Sequence, residues 1–311
     1  MEVSEDFAVF KERFPDEDSC RKYLAELRWP EGFRCPKCGN GQAWQVNGKL
    51  YECKQCGRQT SLTAGTMFQD SRKPLGTMFN AFWIVSGWRI NAKVLKEVLN
   101  FKSYQTAWTW LHKIRQTMTA PEPPNAENGA NPGEGDILSG TVIVDETLLG
   151  TAGKETKPAL AVIALEQNGE TALNRVRIKV IKDGGKNTLK AFINESIAKG
   201  SKIITDGWPG YRGLEAEGYI HEVDTRNRPN LETAMFYPVY SIVSDIRQWL
   251  SSRYQGAVSP KYLQNYLDEY AFTHNHQKTW EEARAARFEQ MLKNALRIEP
   301  VTYKKLTKPD E

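Results

Sequence analysis

A multidomain α/β chain is predicted by three observations: four cysteines in two Cys-x-x-Cys pairs, an apolar and aromatic helical pattern over residues 75–118, and β-rich runs alternating with helical segments after residue 140. At 311 residues the chain has room for two or three domains, each with its own core. Its longest apolar run is Ala159-Leu-Ala-Val-Ile-Ala-Leu165. A membrane-spanning helix needs about 20 such residues, so no membrane partner is expected.

The cysteines come first. Cys35-Pro-Lys-Cys38 and Cys53-Lys-Gln-Cys56 are set fourteen residues apart. Two intervening residues let both sulfurs of a pair face one ion, and the spacer closes a hairpin that brings the second pair to complete a tetrahedron around structural Zn²⁺. Gly39 and Gly57 follow the two pairs and supply the backbone freedom such tight turns need. Disulfides are the competing reading. The acidic start Met1-Glu-Val-Ser-Glu-Asp6 has no secretory pattern, which favours zinc and a cytoplasmic, nucleoid-associated location. Cys20 is left over and reads as a small buried apolar residue. A four-cysteine zinc site is a scaffold and performs no catalysis.

Net charge is only +4, so its distribution matters more than its sum. Residues 61–118 carry eight Lys and Arg against two Asp and Glu. That basic stretch has helical spacing. Leu75 to Ile90 is long and apolar, Val94, Leu95, Val98 and Leu99 recur at helical intervals, and the pattern breaks near Asn100-Phe-Lys-Ser103. Ser103 can cap a further helix whose buried stripe is Ala107, Trp108, Leu111, Ile114 and Met118. Its polar face carries Gln105, Thr106, Thr109, His112, Lys113 and Gln116. A short helix, a tight turn and a polar-faced second helix form a helix-turn-helix layout, which places Gln105, Thr106, Thr109, His112 and Lys113 against double-stranded DNA. An ordinary three-helix bundle would show the same stripe, and the adjacent ribbon favours the nucleic-acid reading. His112 there reads as a phosphate contact or a surface residue, not as a ligand or base.

Residues 119–139 are rich in proline, glycine and acid, and mark a linker. Strands follow over Thr141-Val-Ile-Val144, Ala159 to Leu165 and Arg175 to Ile181, with Gln167-Asn-Gly169 as the turn between the second and third. Leu189 to Ala198 reads as a helix, Lys202-Ile-Ile-Thr205 as a strand, residues from Pro209 as helical, Tyr219 to Val223 as a strand, and 233–252 and 259–276 as helices. That order of elements is that of an RNase H-like mixed sheet with flanking helices. Asp145 is expected to close the first strand and Asp206 the fourth, side by side in that topology, with Asp245 approaching from the helix after the last strand. Carboxylate oxygens suit Mg²⁺ or Mn²⁺, and two such ions about 4 Å apart can promote in-line displacement at a phosphodiester. Each acid singly has a plain reading as a turn former or cap, and Glu146 is expected on the opposite face from Asp145.

Over nearly its whole length the chain resembles the bacterial insertion-sequence transposases that join an N-terminal zinc ribbon to a DDE-type nuclease domain. The stretches that carry the resemblance are Cys35-Pro-Lys-Cys-Gly39, Tyr51-Glu-Cys-Lys-Gln-Cys-Gly57, Thr63-Ala-Gly-Thr-Met67, Gly140-Thr-Val-Ile-Val-Asp-Glu-Thr147, Thr205-Asp206 and the run Val258 to Tyr270. The resemblance implies Asp145 and Asp206 as catalytic metal ligands, with a third at the place of Asp245. It also implies attack of water, then of a DNA 3′-hydroxyl, on phosphodiesters at element ends and target. Joining two ends implies a homodimer or larger synaptic complex. The chain departs from the pattern at Tyr240, Ser244-Asp245-Ile246-Arg247, Leu148, Thr151, His276 and Gln277. Arg247 stands where relatives carry lysine and is expected to hold a DNA phosphate with a different donor geometry.

The expected organisation is an N-terminal helical segment over 1–30, zinc ribbon 31–66, helix-turn-helix region 67–118, linker 119–139, catalytic domain 140–280 and C-terminal helical tail 281–311. The function expected is that of a Mg²⁺-dependent DNA transposase acting on terminal inverted repeats. A catalytically weakened, transposase-derived DNA-binding protein is the alternative, and the altered region around Asp245 is its main support.

Overall fold

The computed structural model describes residues 5–48, 50–87, 89–119, 137–150, 158–167, 174–224, 237–254, 258–276 and 280–308. Most of the expected linker, the turn at Asn168-Gly169, and Thr151 and Gln277 lie outside them. The chain divides into two compact units, one formed by residues 1–120 with 278–309 and the other by 121–277.

The first unit is built on one very apolar helix. Helices α1 (Glu5–Arg13) and α2 (Glu17–Arg28) pack with α3 (Leu75–Gly87), in which Phe79, Ala81 and Phe82 have no exposed surface. Asp16 caps α2 in a reciprocal box with Ser19. Phe10, Phe14, Phe79, Trp83 and Phe288 interlock as stacked and edge-on rings with centroids 4.7–5.9 Å apart. Phe288 belongs to α9 (Trp280–Ala295), whose Met291, Leu292 and Ala295 are fully buried. The segment expected to be a separate C-terminal tail is thus a wall of the N-terminal core. Its hydrophobic stripe had no partner in the sequence nearby, and the partner is α3, about 200 residues earlier.

The ribbon is a three-stranded antiparallel sheet of β1 (Ala43–Val46), β2 (Leu50–Cys53) and β3 (Gln59–Ser61). Rings of Trp29, Phe33 and Tyr51 cluster at 4.8–5.7 Å and join it to the end of α2. Arg28 reinforces that join by donating to the carbonyls of Leu62 and Ala64. Helices α4 (Ala92–Val98) and α5 (Tyr104–Gln116) follow, capped by Asn91 and Ser103. Asn100 turns the chain between them in the left-handed region, at φ 50°. A short helix α10 (Tyr303–Thr307) packs on α5.

The second unit is a five-stranded mixed sheet. Its strands are β4 (Thr141–Leu149), β5 (Ala159–Gln167), β6 (Val176–Val180), β7 (Lys202–Thr205) and β8 (Ile220–Val223), in the order β6-β5-β4-β7-β8. The first three form an antiparallel meander, whereas β7 and β8 join in parallel through crossovers. Alternation along β4 sorts its side chains: Val142 and Val144 meet α6 (Lys186–Ser196) through Leu189, Phe192 and Ile193, while Ile143 and Leu149 meet α7 (Tyr237–Tyr254) and α8 (Pro260–Asn275). This is the RNase H-like layering expected, with β4 and β7 adjacent. One detail differs. β4 does not stop at Asp145 but runs four residues further, paired throughout with β5. Thr147 and Leu149 extend the alternation, a continuation hidden by the polar Asp-Glu-Thr in its middle.

Candidate metal centres and nucleic-acid face

In the ribbon, turns after the paired cysteines aim all four sulfurs inward. Gly39 and Gly57 adopt φ of 73° and 66°, and their N–H groups donate to the carbonyls of Cys35 and Cys53, each at 2.9 Å. The four Sγ atoms lie within 4.8 Å of one another, with Cys35–Cys56 at 3.6 Å and Cys38–Cys53 at 3.5 Å. A Zn–S bond of about 2.3 Å gives a tetrahedron with S···S edges of about 3.8 Å, so the quartet fits a zinc ion without rearrangement. Burial opposes ionisation of Cys53, yet the N–H groups of Cys56 and Gln55 and the Asn40 amide outweigh it and bring the thiol down to about 6. Cys20 is 1% exposed, and burial pushes its thiol up to about 11.

In the second unit the register of β4 and β7 sets the carboxylates. Ile143 pairs with Ile204, so two residues further along each parallel strand Asp145 stands level with Asp206. Neighbouring strands are about 5 Å apart, which places the two acids as neighbours at one end of the sheet. Asp206 is exposed and its Oδ1 accepts the Trp208 N–H at 3.0 Å, while Asp145 Oδ1 accepts the Glu146 N–H at 3.0 Å. Oxygen donors of this kind suit Mg²⁺ or Mn²⁺.

Asp245 is an exposed residue on the flank of α7, beside the buried stripe of Val239, Ile242, Val243, Ile246 and Leu250. Arg247, on the other flank, donates to Thr147 Oγ1 at 2.9 Å and to the Leu148 carbonyl at 3.3 Å, so α7 crosses β4 just beyond Asp145. Among the described residues, only the cysteine quartet gathers three or more His, Cys, Asp or Glu donor atoms within 4.8 Å of one another. Asp245 therefore does not close a three-carboxylate cluster with Asp145 and Asp206 in this structure. The amphipathic pattern fixes which face of α7 is buried, and it leaves Asp245 at the border.

Glu146 lies on the opposite face from Asp145, as strand alternation predicts, and there makes a contact that the sequence does not announce. Its Oε2 accepts the Tyr211 hydroxyl at 2.6 Å. Burial chiefly, with Asp145 and Asp206 adding and the Tyr211 hydrogen bond opposing, moves the Glu146 carboxyl up to about 7. The signal in the sequence was the pair of adjacent acids Asp145-Glu146, which alternation sends to both faces of one strand.

On α5 the polar face is narrower than expected. Gln105 is exposed, and Thr106, Thr109 and Lys113 are half-buried. The Thr109 hydroxyl donates back to the Gln105 carbonyl at 2.7 Å. His112 requires a correction: it is fully buried, its ring 4.1 Å from that of Trp108, which also meets Tyr303 of α10 at 5.9 Å. Packing of α10 on this side of α5 removes His112 from any surface a phosphate could reach. Burial, with Arg115 adding, lowers its pKa to about 3. No described helix is long and apolar enough to cross a membrane.

A four-cysteine ribbon, a helical unit and an RNase H-like sheet with two level acids define a zinc-ribbon protein bearing a DDE-type domain. Comparison gives the same assignment domain by domain: residues 137–275 match the ISXO2-like transposase domain, and residues 15–59 match the transposase zinc-ribbon domain. Similarity extends to a protein described as an uncharacterized protein in transposable element ISH50 of Halobacterium salinarum, 22% identical over 225 residues, or 66% of this chain and 72% of that one. The chain thus matches, in both domains, the insertion-sequence transposases that join an N-terminal zinc ribbon to a DDE-type domain.

Proposed function

We propose that the protein is a DNA transposase that binds terminal inverted repeats and carries out metal-dependent phosphodiester cleavage and strand transfer. The observation that carries this reading is the level placement of Asp145, on β4, and Asp206, the residue that follows the adjacent parallel strand β7. These two carboxylates would hold Mg²⁺ or Mn²⁺, with Asp245 supplied as the third from α7 when the site closes on DNA. The bound metal supplies activation of the attacking hydroxyl and charge stabilisation on the leaving oxygen. The chain's own residues do the positioning: β4 holds Asp145 within the sheet, β7 delivers Asp206 just past its end, and Arg247 anchors α7 over β4 while offering its remaining N–H donors to a phosphate. In the first unit, Gln105, Thr106, Thr109 and Lys113 face double-stranded DNA, and the zinc-loaded ribbon holds the adjoining surface. Acting on two ends calls for a homodimer or larger synaptic complex.

The test is to incubate zinc-loaded protein with an uncut terminal repeat and Mg²⁺, and to compare it with Asp145→Ala, Asp206→Ala and Asp245→Ala. Cleavage and joining that the first two substitutions abolish support the reading. Tight binding of the repeat without cleavage would instead identify a DNA-binding protein that has lost its chemistry. Asp245→Ala decides the third ligand separately, since loss of activity there requires α7 to close on the pair.

A further inference from the structure

Asp206 begins a short loop that returns to β4 from the far side of the sheet. Gly207 N–H donates to Thr205 Oγ1 at 3.3 Å, Trp208 N–H to Asp206 Oδ1 at 3.0 Å, and Tyr211 N–H to the Trp208 carbonyl at 3.0 Å. The Trp208 indole donates to the Gly184 carbonyl at 2.9 Å. Gly210 is pressed against that same carbonyl: a Cβ there would lie 2.6 Å from Gly184 O and 2.8 Å from Leu189 Cδ1, so only glycine fits. Tyr211 has no exposed surface and is walled by Leu189, Phe192 and Leu214. Its hydroxyl ends on Glu146, which is covalently next to Asp145 and donates its N–H to the Asp145 carboxylate.

These contacts form a continuous chain from Asp145 through Glu146 and Tyr211 to Trp208 and Asp206. The two carboxylates sit at the end of the sheet, where β7 has stopped and no ladder hydrogen bond fixes Asp206. We propose that Glu146 and Tyr211 are positioning residues that set the spacing between Asp145 and Asp206 by tying the Asp206 loop to β4 from the opposite face. This rests on the reading of Asp145 and Asp206 as metal ligands. Groups that orient ligating carboxylates commonly change metal affinity or activity by about 10–100-fold when removed, without touching the metal. Tyr211 is suited to the task, since its ring is locked by packing and its hydroxyl has a single short partner.

The experiment uses full-length, zinc-loaded protein and Mn²⁺ as the probe, with binding followed by electron paramagnetic resonance in the absence of DNA. Tyr211→Phe keeps the buried ring and removes only the hydroxyl. It is expected to melt close to wild type, yet to bind Mn²⁺ about ten-fold more weakly and to need correspondingly more Mg²⁺ for repeat cleavage. Glu146→Ala should weaken Mn²⁺ in the same way, while Glu146→Gln, which keeps an acceptor oxygen, should recover most of the affinity. Wild-type Mn²⁺ affinity in folded Tyr211→Phe overturns the proposal, as does failure of Glu146→Gln to exceed Glu146→Ala. If Tyr211→Phe does not fold, the two Glu146 variants decide alone. Failure of the underlying reading looks different: Asp206→Ala would then bind Mn²⁺ as wild type does.

Discussion

Arg247 on α7 donates to Thr147 on β4 at 2.9 Å, joining residues a hundred positions apart one alternation step beyond Asp145. The contact is exposed, so it contributes little to stability, on the order of 0–1 kcal/mol. Its weight is geometric, because it fixes where the helix bearing Asp245 crosses the strand bearing Asp145. Arg247→Ala is expected to shift the unfolding midpoint slightly while lowering repeat cleavage by about ten-fold or more. Arg247→Lys should recover only part of that, since one ammonium cannot serve Thr147, the Leu148 carbonyl and a phosphate in the guanidinium geometry. Single-turnover cleavage set beside urea denaturation checks this, and equal fractional losses in both would refute it.

Removing zinc should unfold the ribbon and leave the second unit intact. Structural zinc sites contribute roughly 10–16 kcal/mol of apparent binding free energy, more than a three-stranded sheet of this size can replace. The rings of Trp29, Phe33 and Tyr51 report on the loss, because their packing depends on β2 staying in place. Chelation or Cys53→Ser is expected to abolish the near-ultraviolet circular dichroism of that cluster and weaken repeat binding. An unchanged spectrum after demonstrated zinc release would contradict the assignment.

His112 should make the first unit sensitive to acid. Its folded pKa of about 3 lies below the usual value of 6.5, so the unfolded chain takes up a proton that the folded chain does not. Stability from this group is complete above pH 6.5 and falls as pH drops from there toward 3, with a limiting slope of about 1.4 kcal/mol per pH unit. Denaturant titrations at pH 4, 5 and 7 should show this trend, and His112→Gln should flatten it. A variant with the wild-type pH dependence would rule the residue out as the cause.

Glu166, 1% exposed, accepts two hydrogen bonds from Arg175, each at 2.6 Å, and one from the Ser139 N–H at 2.7 Å. This pair fastens residues 137–139 to the β5–β6 edge. Removing one partner of a fully buried pair costs about 3–5 kcal/mol; Arg175 is 30% exposed, so Arg175→Ala should cost nearer 2–3 kcal/mol. Chemical denaturation of the variant measures it directly, and a loss below about 1 kcal/mol would mean that water replaces the guanidinium.

The ribbon was legible because metal coordination is a matter of spacing, and spacing is written in the chain. The sheet was legible because Val, Ile and Ala runs alternate with one helical pattern, and topology then makes β4 and β7 neighbours. Position along a strand was less so: Asp145 reads as a terminus because polar residues follow it, whereas β5 pairs with β4 as far as Leu149. His112 reads as a surface residue because one element that packs on α5, the helix of Tyr303 against Trp108, lies nearly 200 residues away. Asp245 fell at the border of an amphipathic stripe, where periodicity assigns no direction. Glu146 and Tyr211 share no motif, and only the folded sheet reveals that they meet.

The wall that α9 supplies to the first unit imposes an order on biogenesis. Phe288, Met291 and Leu292 fill the space against α3, yet they leave the ribosome only after every strand of the mixed sheet has been made. The sheet can therefore mature during synthesis, while the half of the molecule translated earliest must wait with its aromatic interior open. A nascent chain stalled before residue 280 would hold a finished mixed sheet beside an unfinished aromatic core, so the ribbon-bearing unit is completed last.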